Sequence, residues 1–104
     1  MRVFIPFMPD LIEASFEGRK VATTRSRMMG KPGDIFYLRG IPFEIYAVEK
    51  VELCIVAEER YQQEGFNTPQ DFKKAWKHLH PVKGYDAKQK VFYHRYKRRG
   101  GEDA

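Results

Sequence analysis

A chain of 104 residues with a formal charge of +5 has the size of one domain, read here as residues 1–104 with 99–104 a flexible tail. A composition 42% hydrophobic and 14% aromatic is enough for one core and excludes wholesale disorder. No apolar run reaches about 18 residues, and Met1–Phe7 is too short for a secretory core. The expectation is a soluble cytoplasmic protein with no membrane partner, a monomer or weak dimer.

In chain order, Arg2 to Phe7 reads as a short opening strand. Pro9 at a first helical position, with Leu11, Ile12, Ser15 and Phe16 on one face, predicts a helix of about two turns, ended by Gly18. Lys20 to Ser26 is rich in Val and Thr and suits a strand. Met28 to Asp34 is a loop punctuated by Gly30, Pro32 and Gly33, with Asp34 a turn residue. Asp34 to Arg39 is a strand, and Gly40 to Pro42 a tight turn. Phe43 to Val56 is a long β stretch that needs a bend or break near Lys50.

Within it, the single cysteine, Cys54, reads as a buried structural thiol in an apolar run. Alone it excludes an internal disulfide and a thiolate zinc site. Ala57 to Gln63 predicts a short helix ended by Gly65. Thr68-Pro69-Gln70-Asp71 is a helix start, with a capping threonine and proline at the first helical position. That helix carries Phe72, Ala75, Trp76 and Leu79 on one stripe. Val91 to Lys97 is the last strand. The sum is an α+β domain, a partly closed β-barrel of about five to six strands with two or three short helices at its rim.

The basic surplus favours polyanionic partners, nucleic acid above all. Two segments focus it. Near the end, Lys90, Phe92, Tyr93, His94, Arg95, Tyr96, Lys97, Arg98 and Arg99 interleave cations with aromatics. This suits base stacking with phosphate tracking, or equally an edge strand with solvated charges.

Earlier, Gly18 to Arg27 packs four cations among hydroxyls. Thr23 and Arg25 share one strand face, and Thr24 and Ser26 the other. Arg19, Thr24, Arg25 and Ser26 are the candidate ligand-binding residues, as a positive, hydroxyl-lined pocket for an anion or nucleobase. The same residues also fit a plain solvated strand. Glu64, beside Gly65 at a helix end, faces either a pocket or solvent. His78 and His80 are two apart and His94 is isolated, so no metal and no cofactor is expected.

Gly18-Arg19-Lys20, Thr23 and Arg25, then Pro32-Gly33-Asp34, Glu64-Gly65-Phe66 and the Thr68-Pro69 helix with Phe72 and Trp76 together resemble the ASCH domain family over about residues 4 to 97. The resemblance implies a PUA-like barrel and a role in RNA metabolism, binding RNA or a modified nucleoside in a basic cleft. The chain is also similar to small members of the family that act as amidohydrolases, removing the acetyl group of N(4)-acetylcytidine. Matched motif by motif, their threonine nucleophile, lysine and glutamate fall on Thr23, Lys20 and Glu64. Gly65 stands where those enzymes carry asparagine. Lys20 and Thr23 are three apart, so a regular strand puts them on opposite faces. They share a cleft only if Lys20 precedes the strand, and a salt bridge is the plain alternative for Lys20 with Glu64.

Overall fold

The computed structural model describes residues 1–99. The tail expected from residue 99 onward therefore lies, apart from Arg99, outside the described residues. Helix α1 (Pro9–Phe16) precedes strands β1 (Ala22–Arg25), β2 (Ile35–Leu38) and β3 (Ile41–Glu52). Helices α2 (Leu53–Glu59) and α3 (Pro69–Leu79) and strand β4 (Lys90–Arg98) follow. The strands form one antiparallel sheet in the order β1-β4-β3-β2, curled into a half-barrel with the three helices around it.

Four strands stand where five to six were expected. The opening segment supplies none: only Arg2 bridges Ile35, because Pro6 and Pro9 have no N–H to extend a ladder. The long β stretch breaks after Glu52, close to the expected Lys50, and carries a further register shift between Ile45 and Ala47. Leu53-Cys54-Ile55-Val56 opens α2 instead of closing a strand. Leu53, Val56 and Ala57 are buried at helical spacing, a choice that a short apolar run does not reveal by itself. Cys54 is consequently half-buried on that helix. The helix expected at Ala57–Gln63 thus lies four residues earlier.

Local signals fixed other elements. Thr68 caps α3 by accepting the Asp71 N–H at 3.1 Å, and Phe72 and Trp76 are buried beneath it. Leu79, expected on the same stripe, is 56% exposed. Helix α1 ends in a Schellman turn: the Arg19 N–H reaches the Ala14 carbonyl at 2.9 Å and the Gly18 N–H reaches that of Ser15 at 3.3 Å. Gly18 takes φ of +81° there, as glycine does without strain.

Strand β4 is interior, paired to β1 on one side and β3 on the other, not an edge. Val91 and Tyr93 pack with Ala22, Leu53, Val56, Ala57, Phe72 and Trp76 in one core. Tyr96 joins Ile5, Phe36, Leu38, Phe43 and Ile45 in another. In the second core Phe36 stacks on Phe7 and on Phe43, each at 5.8 Å, and meets Tyr96 edge-on at 5.2 Å.

Phe36 is fully buried at the centre of this cluster. Phe36→Ala is therefore expected to cost about 3–5 kcal/mol in urea denaturation. A loss below about 1 kcal/mol would contradict this packing.

Candidate functional site

The Schellman turn delivers Lys20 to the edge of the sheet, before β1 begins. There it forms an isolated bridge with Glu64, and the Val21 and Ala22 N–H groups both reach the Gln63 carbonyl. Gly65 allows the approach. It adopts φ of +95°, and a Cβ there would lie 3.2 Å from Lys20 Cβ, so a side chain would be both strained and crowded.

Lys20 and Glu64 are 2% and 3% exposed and form an ion pair at 3.3 Å. The Lys20 ammonium donates to the Ala22 carbonyl at 2.7 Å, to the Glu64 carbonyl at 3.1 Å and to Glu64 Oε1. These three acceptors match the three N–H donors of a charged lysine. Glu64 Oε2 accepts from the Thr24 hydroxyl at 2.7 Å. Burial pulls the Lys20 pKa below its ordinary 10.5, Glu64 opposes this, and the Arg25 charge adds to it. We take the net direction as downward, because the pair is almost wholly removed from water.

Thr23 and Arg25 share a face of β1, as alternation requires. Arg25 Nε donates to Thr23 Oγ1 at 3.1 Å, while its Nη2 reaches the Pro6 carbonyl at 2.7 Å. Burial lowers the Arg25 pKa as well, against the attraction of Glu64. Behind this face His94 is fully buried. Its Nε2 accepts the Met29 N–H at 2.9 Å, so Nδ1 carries the proton and donates to the Thr23 carbonyl at 3.1 Å.

These groups open onto one cavity of about 430 Å³, within the range of small-molecule sites. Lys20, Thr23, Thr24, Arg25, Ser26 and Glu64 all line it. Because β1 is the edge strand, side chains from both of its faces reach the same space. The rest of the lining is largely apolar, with Phe7, Leu11, Phe66, Phe72 and Trp76, Phe7 lying 5.4 Å from the Lys20 amine and 5.3 Å from the Arg25 guanidinium. Sequence alone placed Phe72 and Trp76 on one helical stripe without linking them to the site; they both pack the core and line the cavity. Arg19 is not among the lining residues and instead pairs with Glu17 at 2.6 Å on the exposed surface. Lys20 and Thr23 share the cavity, yet the Thr23 hydroxyl is engaged by Arg25 and the Glu64 carboxylate by Thr24. Tyr93 and Tyr96 are buried in the cores and offer no stacking face. Among the described residues no group of three or more His, Cys, Asp or Glu is placed to hold a metal ion, and no helix is long and apolar enough to cross a membrane.

The overall fold is shared with several solved structures. An ASCH domain from Lactobacillus crispatus superposes with a TM-score of 0.70 at 14% identity, covering 93% of this chain and 79% of that one. A protein from Pyrococcus furiosus, solved in solution, gives 0.68 at 12% identity, with 95% and 98% covered. The ASCH protein of Zymomonas mobilis gives 0.60 at 15% identity, with 93% and 69% covered. No family model and no curated protein matches the sequence. At these identities the likeness is one of fold: the chain has the ASCH-domain fold.

Burial pushes the His94 pKa below its ordinary 6.5; the Thr23 carbonyl opposes this and Arg25 adds to it. An unfolded chain then binds more protons than the native one as pH falls through about 6.5. Native stability is expected to drop in that window, and protonation of Nε2 would remove the Met29 contact. Thermal melting between pH 7 and pH 5 checks this: the fall in Tm should shrink in His94→Gln, and an unchanged slope contradicts it.

Proposed function

We propose that the chain is a member of the ASCH family, with its PUA-like architecture, and that it holds a modified nucleoside, free or carried on RNA, in the cavity at Lys20 and Glu64. The observation that carries this reading is the division of one cavity into a polar edge and an apolar, partly aromatic wall. A nucleobase has the same division, with flat apolar faces and donors and acceptors around its rim. Arg25, Thr23 and Ser26 would read that rim, against an apolar lining to which Phe66, Phe72 and Trp76 contribute. Lys20, Glu64 and Thr24 hold the polar edge in register. Calorimetric titration with N(4)-acetylcytidine is expected to show saturable binding, weakened about tenfold or more in Arg25→Ala, a loss of about 1.4 kcal/mol. Failure of the wild type to bind N(4)-acetylcytidine, cytidine or uridine ends this reading.

One observation favours an amidohydrolase as the second reading: a buried lysine of lowered pKa lines the same cavity as the Thr23 hydroxyl. In that chemistry Thr23 Oγ attacks the acetyl carbonyl carbon as Lys20, in its neutral form, takes the hydroxyl proton. The Arg25 guanidinium, already 3.1 Å from Thr23 Oγ1, stabilises the oxyanion. Collapse breaks the C–N bond, and the N4 amine of cytidine leaves with the proton from Lys20. Water then hydrolyses the threonyl ester to acetate. The reaction requires Thr23 to exchange Arg25 for Lys20, a tightening that substrate binding can bring about. Release of cytidine should vanish in Thr23→Ala and in Lys20→Ala, and in the wild type should rise with pH as Lys20 deprotonates. Absence of cytidine release by the wild type removes this activity and leaves the binding reading intact.

A further inference from the structure

Lys20 lines a second cavity on its other side, an open groove of about 630 Å³ between α1 and the sheet. Its walls include Phe16, Phe43, Tyr46 and Tyr96 and three cations, Lys20, Lys97 and Arg98, with no carboxylate among the lining residues. Tyr46 is the residue at the β3 register shift, between Ile45 paired to Tyr96 and Ala47 paired to Arg95. A bulge re-aims its side chain, and the ring is 48% exposed. The Lys97 amine lies 5.8 Å from the centre of that ring, and the Arg98 guanidinium 5.8 Å from that of Phe16. Glu44 is opposite Lys97 in the ladder, but its carboxylate lies 4.0 Å from Arg99. Among the described residues neither Lys97 nor Arg98 has an ion-pair partner within 4.0 Å.

We infer that this groove is a binding track for single-stranded RNA. Lys97 and Arg98 would meet phosphates, and the Tyr46 ring would stack a base next to the one held in the first cavity. Cations set beside one half-exposed aromatic ring, Tyr46, suit a polyanion whose units also carry flat rings; an acidic peptide or an anionic lipid surface would use the cations and leave that ring idle. The inference rests on the nucleoside reading for the base in the first cavity, and gives that base a strand.

Fluorescence anisotropy with a fluorescein-labelled single-stranded RNA of about ten nucleotides tests this. Lys97→Ala with Arg98→Ala should weaken binding by about tenfold and flatten the plot of log affinity against log salt by about 1.4, two phosphates at about 0.7 each. Tyr46→Ala should weaken binding by about fivefold or more through lost stacking. Lys83→Ala with Lys88→Ala removes the same charge elsewhere and should change affinity little. Calorimetric binding of N(4)-acetylcytidine should be untouched by the Lys97/Arg98 double variant. Equal losses in the two double variants, no RNA binding by the wild type, or binding only to polyglutamate or phosphatidylserine vesicles would each overturn the track. If RNA behaves as expected while N(4)-acetylcytidine fails to bind the wild type, the first-cavity reading falls and the groove stands.

Discussion

The rest of the structure is arranged around an ion pair taken almost wholly out of water. Desolvation of two charges costs several kcal/mol per ion, and attraction offsets this only when the remaining donors and acceptors are also satisfied. Here they are, by parts of the chain 44 residues apart. The Schellman turn after α1 brings Lys20 in, the bare backbone of Gly65 lets it close, and the Ala22 and Glu64 carbonyls complete its coordination. The Thr24 hydroxyl holds the second carboxylate oxygen. Each of these is a local feature with a stability cost or gain of its own, and they converge on one point. That point is the seam between the two cores, where apolar packing stops and a cavity begins.

Much of the fold was legible wherever a single residue type forces a conformation. Pro9 and Thr68 started helices, Gly18 ended one, and the spacing of Phe72 and Trp76 marked a buried face. What was not legible depended on partners distant in sequence. The Leu53–Val56 run is equally apolar as strand or helix, and only packing against α3 and β4 decides for helix. The last strand carries enough charge to read as an edge, yet β1 pairs with it on the far side. Its tyrosines, attractive as stacking platforms, are thereby committed to the cores.

The site divided along the same line. Lys20, Thr23, Arg25, Ser26 and Glu64 were picked out by residue type, order and resemblance, and all line one cavity. Their mutual bonds were not foreseeable. The condition that Lys20 precede the strand is met, since β1 begins only at Ala22. Even so, Arg25 occupies Thr23, and Thr24 serves Glu64 instead of facing a ligand alone. Arg19, chosen for its charge beside Lys20, turns outward to Glu17 because the helix end that buries its neighbour leaves it on the rim. The apolar wall escaped notice for a different reason: a residue that packs a core and lines a cavity has the same spacing as one that only packs a core.

Trp76 is the one tryptophan in the sequence. It stands in the wall of the first cavity, stacks on His80 with ring centres 4.1 Å apart, and its indole N–H has no hydrogen-bond partner among the described residues. The indole chromophore is sensitive to polarity and to hydrogen bonding at nitrogen. The protein's entire tryptophan emission therefore originates in the wall of that cavity. Packing of the α3 stripe thus places an optical gauge in the cavity wall, and a ligand entering there would be readable without any label.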